Sequence, residues 1–257
     1  MDVVLISVVA LIGSILTFFS GFGLGTLLLP VFALFFPIQA AIGMTALIHL
    51  MNNLFKLGLV GKHLDGSVFV RFSLPTIPAA MAGAYLLIGL SHVEPIFTYS
   101  IGSAEYKVEL VKIAIAVLMV IFSLFEIIPK WSRWTVNKKY LPLGGIISGF
   151  FGGLSGHQGA LRSAFLIRAG ISKEKFIGTG VATACLVDLT RISVYGSNIS
   201  AMNFHGNIDI LFSATLSAFI GAYLGNKLLK KATFNVVQMV VAGLLFIVAI
   251  LLGSGII

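Results

Sequence analysis

Eight nearly charge-free apolar segments follow one another along the chain, at residues 3–36, 38–61, 72–90, 107–129, 141–169, 174–196, 208–226 and 233–257. Runs of that length suit the hydrocarbon core of a bilayer, where about 20 apolar residues in a helix span roughly 30 Å. Backbone polar groups have no water there and must pair within the segment, which selects helices. Composition agrees, because 58% of the 257 residues are hydrophobic and only 10% are charged. Soluble domains carry about 25% charged residues. No polar block is long enough for a soluble unit, so residues 1–257 read as a single membrane domain. The first segment starts at Val3 with neither a basic n-region nor a small-residue cleavage site, and is not read as a signal peptide. The one cysteine, Cys185, excludes an intramolecular disulfide.

The first and fifth segments are too long for one crossing, and each carries a glycine-rich break. The first has Gly21-Phe22-Gly23-Leu24-Gly25 and the fifth Gly153-Leu154-Ser155-Gly156-His157-Gln158-Gly159-Ala160-Leu161-Arg162. Sliding the chain on itself by 135 residues pairs Ser20-Gly21 with Ser155-Gly156, Ile42-Gly43 with Ile177-Gly178, Leu54 with Leu189 and Gly61 with Gly196. The same shift matches Asn53 with Asp188 and Lys56 with Arg191. A shift three residues longer aligns Gly83-Ala84-Tyr85-Leu86 with Gly221-Ala222-Tyr223-Leu224. This order of glycine, polar pair and GAYL describes an internal repeat. Repeat 1 covers 1–129, a loop 130–140, and repeat 2 141–257. Glycines that only let helices pack closely would explain the composition of the breaks, but not their matching places in two halves.

Loop charges set an orientation. Lys62 and Arg71, then Lys130, Arg133, Lys138 and Lys139, then Lys227, Lys230 and Lys231 mark three basic loops, read as cytoplasmic. Loop 91–106 has Glu94 and Glu105 without Lys or Arg, and loop 197–207 also lacks both, so these two lie outside. With Lys173 and Lys175 inside, residues 139 and 173 share a side, so the fifth segment goes in and returns. The first does the same from outside, and both chain termini fall outside. Each broken segment is a hairpin, either re-entrant or two short crossings. A hairpin plus three spans crosses an odd net number of times, which inverts the second half. The expected fold is an all-α integral membrane protein of two inverted-topology repeats, each a broken-helix hairpin plus three transmembrane helices. Secondary transporters are often built this way, with broken helices meeting near the midplane.

In each hairpin the second arm starts at the break, so its free N–H groups and positive dipole end point into the protein. Two such ends suit an anion. The candidate substrate-binding residues are Gly21, Phe22, Gly23 and Gly25 of the first break, with Gly156, His157, Gln158, Gly159 and Arg162 of the second. The planar fork of Arg162 matches sulfonate, sulfate or carboxylate oxygens, or else Arg162 is a structural tie to Asp188. His157 and Gln158 stand where repeat 1 has Phe22 and Gly23. Both can donate hydrogen bonds, and His157 suits a coupled proton; a buried His satisfied by a carbonyl is the plainer alternative. Asp188 and Arg191, with Asn53 and Lys56 as their repeat partners, are secondary candidates at ion-pair spacing. Lys56 and Arg191 lie near span ends, where snorkelling is an equal alternative. His49 and Asn52 share the polar face of the span holding Asn53 and Lys56. Arg168, Lys173 and Lys175 read as topology anchors, and Trp131, Trp134 and Tyr140 as an aromatic belt.

No CxxC, HExxH, nucleophile elbow, P-loop or carboxylate cluster occurs, so neither enzyme chemistry, a metal site nor a cofactor is expected. The net charge of +8 sits mostly in short loops, which suits an anionic leaflet and an anionic substrate rather than nucleic acid. Expected partners are a small anion and the bilayer; a coupling proton and a homodimer are compatible.

The two glycine motifs resemble the TauE/SafE sulfite-exporter family, also called the toluene-sulfonate uptake permease group. The resemblance runs from Gly21 through Pro30, from Gly153 through Phe165, and from Phe176-Ile177-Gly178-Thr179-Gly180 to Val187-Asp188-Leu189-Thr190-Arg191. The second repeat departs from the family's glycine triplet and proline with His157-Gln158 and Phe165. The resemblance implies a transporter of small sulfur oxyanions, sulfite or organosulfonates, across a bacterial inner membrane, with export expected. An anion channel on the same scaffold, or a membrane scaffold subunit of a larger complex, are the alternatives.

Overall fold

The computed structural model describes residues 2–20, 23–127, 138–196, 204–228 and 235–257. Gly21, Phe22, Lys130, Trp131, Arg133, Trp134, Lys230 and Lys231 lie outside the described residues, as do positions 197–203 of the second outer loop. The helices are α1 (Asp2–Ser20), α2 (Gly25–Ala33), α3 (Ile38–Val60), α4 (Gly66–Ser73), α5 (Thr76–Ser91) and α6 (Leu110–Ile127), followed by α7 (Leu141–Ser155), α8 (Gly159–Leu166), α9 (Lys173–Tyr195), α10 (Ile208–Leu228) and α11 (Asn235–Gly253). Four helical stretches are long and apolar enough to cross a membrane: Ile38–His63, Gly66–Ser91, Lys173–Tyr195 and Ile208–Lys227.

The two overlong segments break where their glycines stand. At the second break α7 ends on Gly156, whose φ of +80° is the left-handed C-cap conformation that favours glycine. Both segments fold back on themselves. Gly13 of α1 faces Leu24 and Leu27 across the first turn, and Gly144 of α7 lies on the Phe165 ring across the second. Ser148 Oγ donates to the Gln158 carbonyl at 3.2 Å, which holds the second hairpin shut. The return arms α2 and α8 have 9 and 8 residues. At about 1.5 Å per residue neither spans half of a roughly 30 Å hydrocarbon core.

Residues 97–108, placed by the charge pattern in an outer loop and the start of a span, form a β-hairpin, so the chain is not wholly helical. Strand β1 (Phe97–Ile101) pairs antiparallel with β2 (Ala104–Val108), and Gly102 (φ +63°) makes the turn. β-Branched and aromatic residues alternate with polar ones there, a strand pattern. Tyr99 stacks on Tyr106 at 5.3 Å, and its hydroxyl donates to the Ser254 carbonyl at 2.8 Å, docking the hairpin on the end of α11.

Helix pairing follows a regular scheme. α1 packs on α10 and α7 on α5, while α3 packs on α9 and α6 on α11. α5 also touches α9 and α10 touches α3; α2 touches α11 and α8 touches α6. Close approach comes from small residues. On α7, a Cβ at Gly145, Gly149 or Gly153 would collide with the carbonyl of Phe72, Thr76 or Ala80, one turn apart on α4 and α5. Gly221 and Gly225 of α10 do the same for Leu11 and Ile15 of α1. One main hydrophobic cluster, with Leu28, Phe32, Met44, Ile48, Ile115 and Met119 among its members, fills the centre.

The loop after α3 is tied to the start of α9. The Asp65 carboxylate accepts from Val68 N at 3.2 Å as the N-cap of α4, and from Lys175 Nζ at 3.0 Å. The Lys175 ammonium and the Val68 N–H hold this carboxyl below its ordinary value. A depressed folded-state value contributes stability above the ordinary 3.8 and loses it as pH falls through the folded one. Asn keeps the cap but not the charge. Asp65→Asn is expected to lower the melting temperature slightly at pH 7 and not at all once pH drops below the folded value. Thermal unfolding in detergent at both pH values checks this.

Candidate functional site

The second break carries more side-chain chemistry. Gly156 caps α7, Gln158 precedes α8, and no side chain caps the first turn of α8. His157, Gln158 and Arg162 are all buried. Gln158 Oε1 accepts from Arg162 Nη1 at 3.2 Å, one helical turn on. The His157 ring lies parallel to Phe122 of α6 at 5.6 Å, and its Nδ1 is 3.2 Å from Ser155 Oγ. His157 Nε2 and Gln158 Nε2 are buried without a hydrogen-bond partner. Buried donors without partners are rare and costly. Gln158 Nε2 is such a donor, whereas His157 gives its Nδ1 hydrogen to Ser155 Oγ, whose own hydrogen goes to the Phe151 carbonyl, so that Nε2 is left as a free lone pair.

The first break meets the second. A Cβ on Gly25 of α2 would stand 3.4 Å from Thr45 and 3.8 Å from His49 of α3, and 3.9 Å from the Gly156 carbonyl oxygen. A Cβ on Gly23 would stand 2.7 Å from His49 Nε2 of α3, and one on Gly156 would stand 2.5 Å from Arg191 Nη1 of α9. Each break is thus glycine on the side where a polar side chain of a neighbouring helix presses on it. At Gly156 the substitution is blocked twice, by φ and by the guanidinium.

Asp188 sits between α3 and α9 and is fully buried. Its Oδ1 accepts from Arg191 Nε at 3.0 Å and pairs with Nη2 at 2.8 Å. Its Oδ2 takes His49 Nδ1 at 2.6 Å and Asn53 Nδ2 at 3.3 Å. Arg191 spends one edge on this carboxylate, and Nη1, on the other side against Gly156, has no partner. Lys56 is also buried; its Nζ lies over the Phe18 ring at 5.4 Å and 3.3 Å from the Asn52 amide oxygen. That orientation lets the Asn52 nitrogen donate to the Ala218 carbonyl at 3.1 Å and to Ser14 Oγ at 3.0 Å. Lys56 and Arg191 are 4% and 1% exposed, so neither snorkels.

The structure therefore brings Gly23, Gly25, Gly156, His157, Gln158, Gly159 and Arg162 together with the secondary set His49, Asn52, Asn53, Lys56, Asp188 and Arg191. Gly21 and Phe22 fall outside the described residues. A cavity of about 30 Å³ lies between Thr17, Asn53, Lys56, Arg162 and Gly180, enough for a water. Ser155, Thr17, Phe122 and Tyr195, whose hydroxyl donates to the Gly153 carbonyl, were not singled out in the sequence. Only Ser155 had a signal, being repeat-matched to Ser20. A wider cavity of about 470 Å³ opens where α4, α7 and α9 begin, lined by Arg71, Lys138 and Lys175 with Asp65. From it a buried hydroxyl line leads inward, Asp65 N donating to Thr179 Oγ1 at 3.0 Å and Ser73 Oγ meeting Thr183 Oγ1 at 2.7 Å.

Among the described residues, Lys56, Arg162, Arg191 and the carboxylate Asp188 are thus the buried charged groups of this centre. Uncompensated buried charge costs several kcal/mol or more, so such a centre favours a mobile anion. A family model described as "Sulfite exporter TauE/SafE" matches residues 5–252, nearly the whole chain. Comparison with curated proteins gives no match.

Proposed function

The chain belongs to the TauE/SafE sulfite exporter family, a membrane transporter family and not an enzyme family, and on that premise we propose that it is a secondary transporter exporting small sulfur-containing anions, sulfite or organosulfonates, across the bacterial inner membrane. The observation that carries this reading is the buried excess of basic groups where the two broken helices meet. In the proposed site, Arg162, Gln158 Nε2 and Arg191 Nη1 donate to the anion's oxygens, His157 Nε2 joins them when the ring is protonated, and the first turns of α2 and α8 add backbone N–H groups.

We read the architecture as two inverted repeats, with hairpins α1–α2 and α7–α8 re-entrant from opposite faces and both termini periplasmic. The helix pairing supports this. Exchanging α1 with α7, α2 with α8, α3 with α9, α5 with α10 and α6 with α11 maps the pairs described above onto the same set, with α3–α9 and α6–α11 carried onto themselves. Asn53 and Asp188, equivalent under the 135-residue shift, touch at 3.3 Å, as positions beside a two-fold axis would. The pocket lined by Arg71, Lys138 and Lys175 falls on the face assigned to the cytoplasm, a suitable mouth for an outgoing anion.

Sulfite is too large for a 30 Å³ cavity, so the helices around it must part for the anion to enter. Rocking of the halves in alternating access would supply that movement. Proteoliposomes holding the purified chain, offered sulfite, methanesulfonate, sulfate and acetate at several pH values, test the reading. Saturable flux with trans-stimulated exchange of a sulfur oxyanion is expected. Linear, non-saturating flux would assign a channel, and no flux of any sulfur oxyanion would overturn the proposal.

A further inference from the structure

We propose that the His49–Asp188 pair is a proton-binding site, at which one proton joins each transported anion. This rests on the transporter reading above and adds the coupled ion and its place.

The geometry places the ring hydrogen of the pair. A carboxylate only accepts, so the 2.6 Å contact of Asp188 Oδ2 with His49 Nδ1 puts the imidazole hydrogen on Nδ1. The other ring nitrogen, Nε2, then carries the lone pair. Asn53 has two amide hydrogens to give. Its Nδ2 lies 3.3 Å from Asp188 Oδ2, to which it donates, and rests against the imidazole at 3.1 Å from His49 Nδ1 and 3.3 Å from Nε2. With a neutral imidazole the Nε2 lone pair is left facing Gly23. An incoming proton binds Nε2 and forms an imidazolium–carboxylate pair. No covalent bond other than N–H forms or breaks, and the proton leaves by the reverse step on the opposite side.

Place and surroundings argue for coupling rather than a static tie. The pair joins α3 to α9, helices from opposite halves, so any movement of one half against the other strains it. His49 Nε2 points at Gly23, where the first break offers backbone and no side chain. Asp188 also holds Arg191, whose free Nη1 faces the second break, so a charge change at Asp188 reaches the anion site through one side chain. The titratable groups around His49 are few. α9 presents Asp188, Arg191, Cys185 and Tyr195; the second break presents His157 and Arg162; its own helix carries Lys56. α2 has no titratable residue, and those of α10 are Asp209 and Lys227 near its ends and Tyr223 on its exposed side. Basic groups therefore dominate. A proton and an anion in adjoining sites attract, so each raises the occupancy of the other, and by linkage the effect is reciprocal.

The test uses full-length protein in proteoliposomes with a pH dye in the lumen. Sulfite is one probe and methanesulfonate the other, because a strong-acid anion brings no proton of its own. Wild type should move about one proton with each anion, a lumenal pH change abolished by a protonophore while anion flux continues. His49→Gln should lose the pH change and the ability of a pH gradient to accumulate anion, while still exchanging labelled anion for unlabelled. Anion flux in wild type without any pH change for methanesulfonate would overturn the proposal, and so would a His49→Gln protein that still carries the proton. If His49→Gln does not fold, the wild-type pH record decides alone. Absence of all anion flux in wild type is a different failure, that of the transporter reading, and takes this inference with it.

Discussion

Arg162→Ala is expected to abolish anion flux in proteoliposomes while leaving a folded protein that elutes as wild type does. The side chain reaches back along α8 to Gln158 Oε1 and lines the central cavity. The ion pair that ties α9 together, Asp188 with Arg191, does not depend on it. Its removal deletes a donor fork facing the proposed substrate. A hydrogen bond to a charged group is worth about 1.5–3 kcal/mol, or about 10- to 100-fold in affinity for each bond lost. Arg191→Ala makes a useful contrast, because it would leave Asp188 buried without its cation and should cost folding as well, about 3–5 kcal/mol. Normal flux by Arg162→Ala would remove that residue from the site.

The second large effect is steric. Gly153→Leu is expected to prevent assembly, because even a Cβ at that position would overlap the Ala80 carbonyl of α5. Overpacking usually costs about 1–3 kcal/mol by shifting side chains; here the obstacle is backbone, so the cost should be greater. α7 cannot simply withdraw. Tyr195 bonds the Gly153 carbonyl, and the break at Gly156 follows within one turn. Loss of the monodisperse peak in size-exclusion chromatography is the readout. Gly89→Ala, where a Cβ meets nothing within 4 Å, is the control and should behave as wild type. A well-folded Gly153→Leu would contradict the α5–α7 contact.

Much of this protein is legible in one dimension because a bilayer leaves so few choices. The spans could be read from apolar length, and the breaks from glycine runs inside segments too long for one crossing. The shift of 135 residues brought out the pairing of Asn53 with Asp188 as a pattern before their contact was seen. The β-hairpin at 97–108 is not legible in the sequence, because a short, half-polar strand pair gives a weak signal beside a membrane span and its register depends on Gly102 and on docking to Ser254. The role of His49 is hidden in the sequence for a similar reason. A histidine on a polar helix face has no visible partner until α9 is folded against α3.

By itself, then, the order of residues determined an integral membrane protein with two broken segments, and which polar side chains lie near the breaks. Hydrophobic length and backbone hydrogen bonding act along the chain, so they can be read along it. Only the tertiary structure decided how those side chains divide their bonds. Asp188 takes His49, Asn53 and one edge of Arg191, Gln158 takes Arg162, and the atoms left over are Gln158 Nε2, Arg191 Nη1 and the His157 Nε2 lone pair. That division is a competition among groups 139, 135, 4 and 3 residues apart. Burial settles it, because a polar atom removed from water takes whichever partner the packing brings within reach.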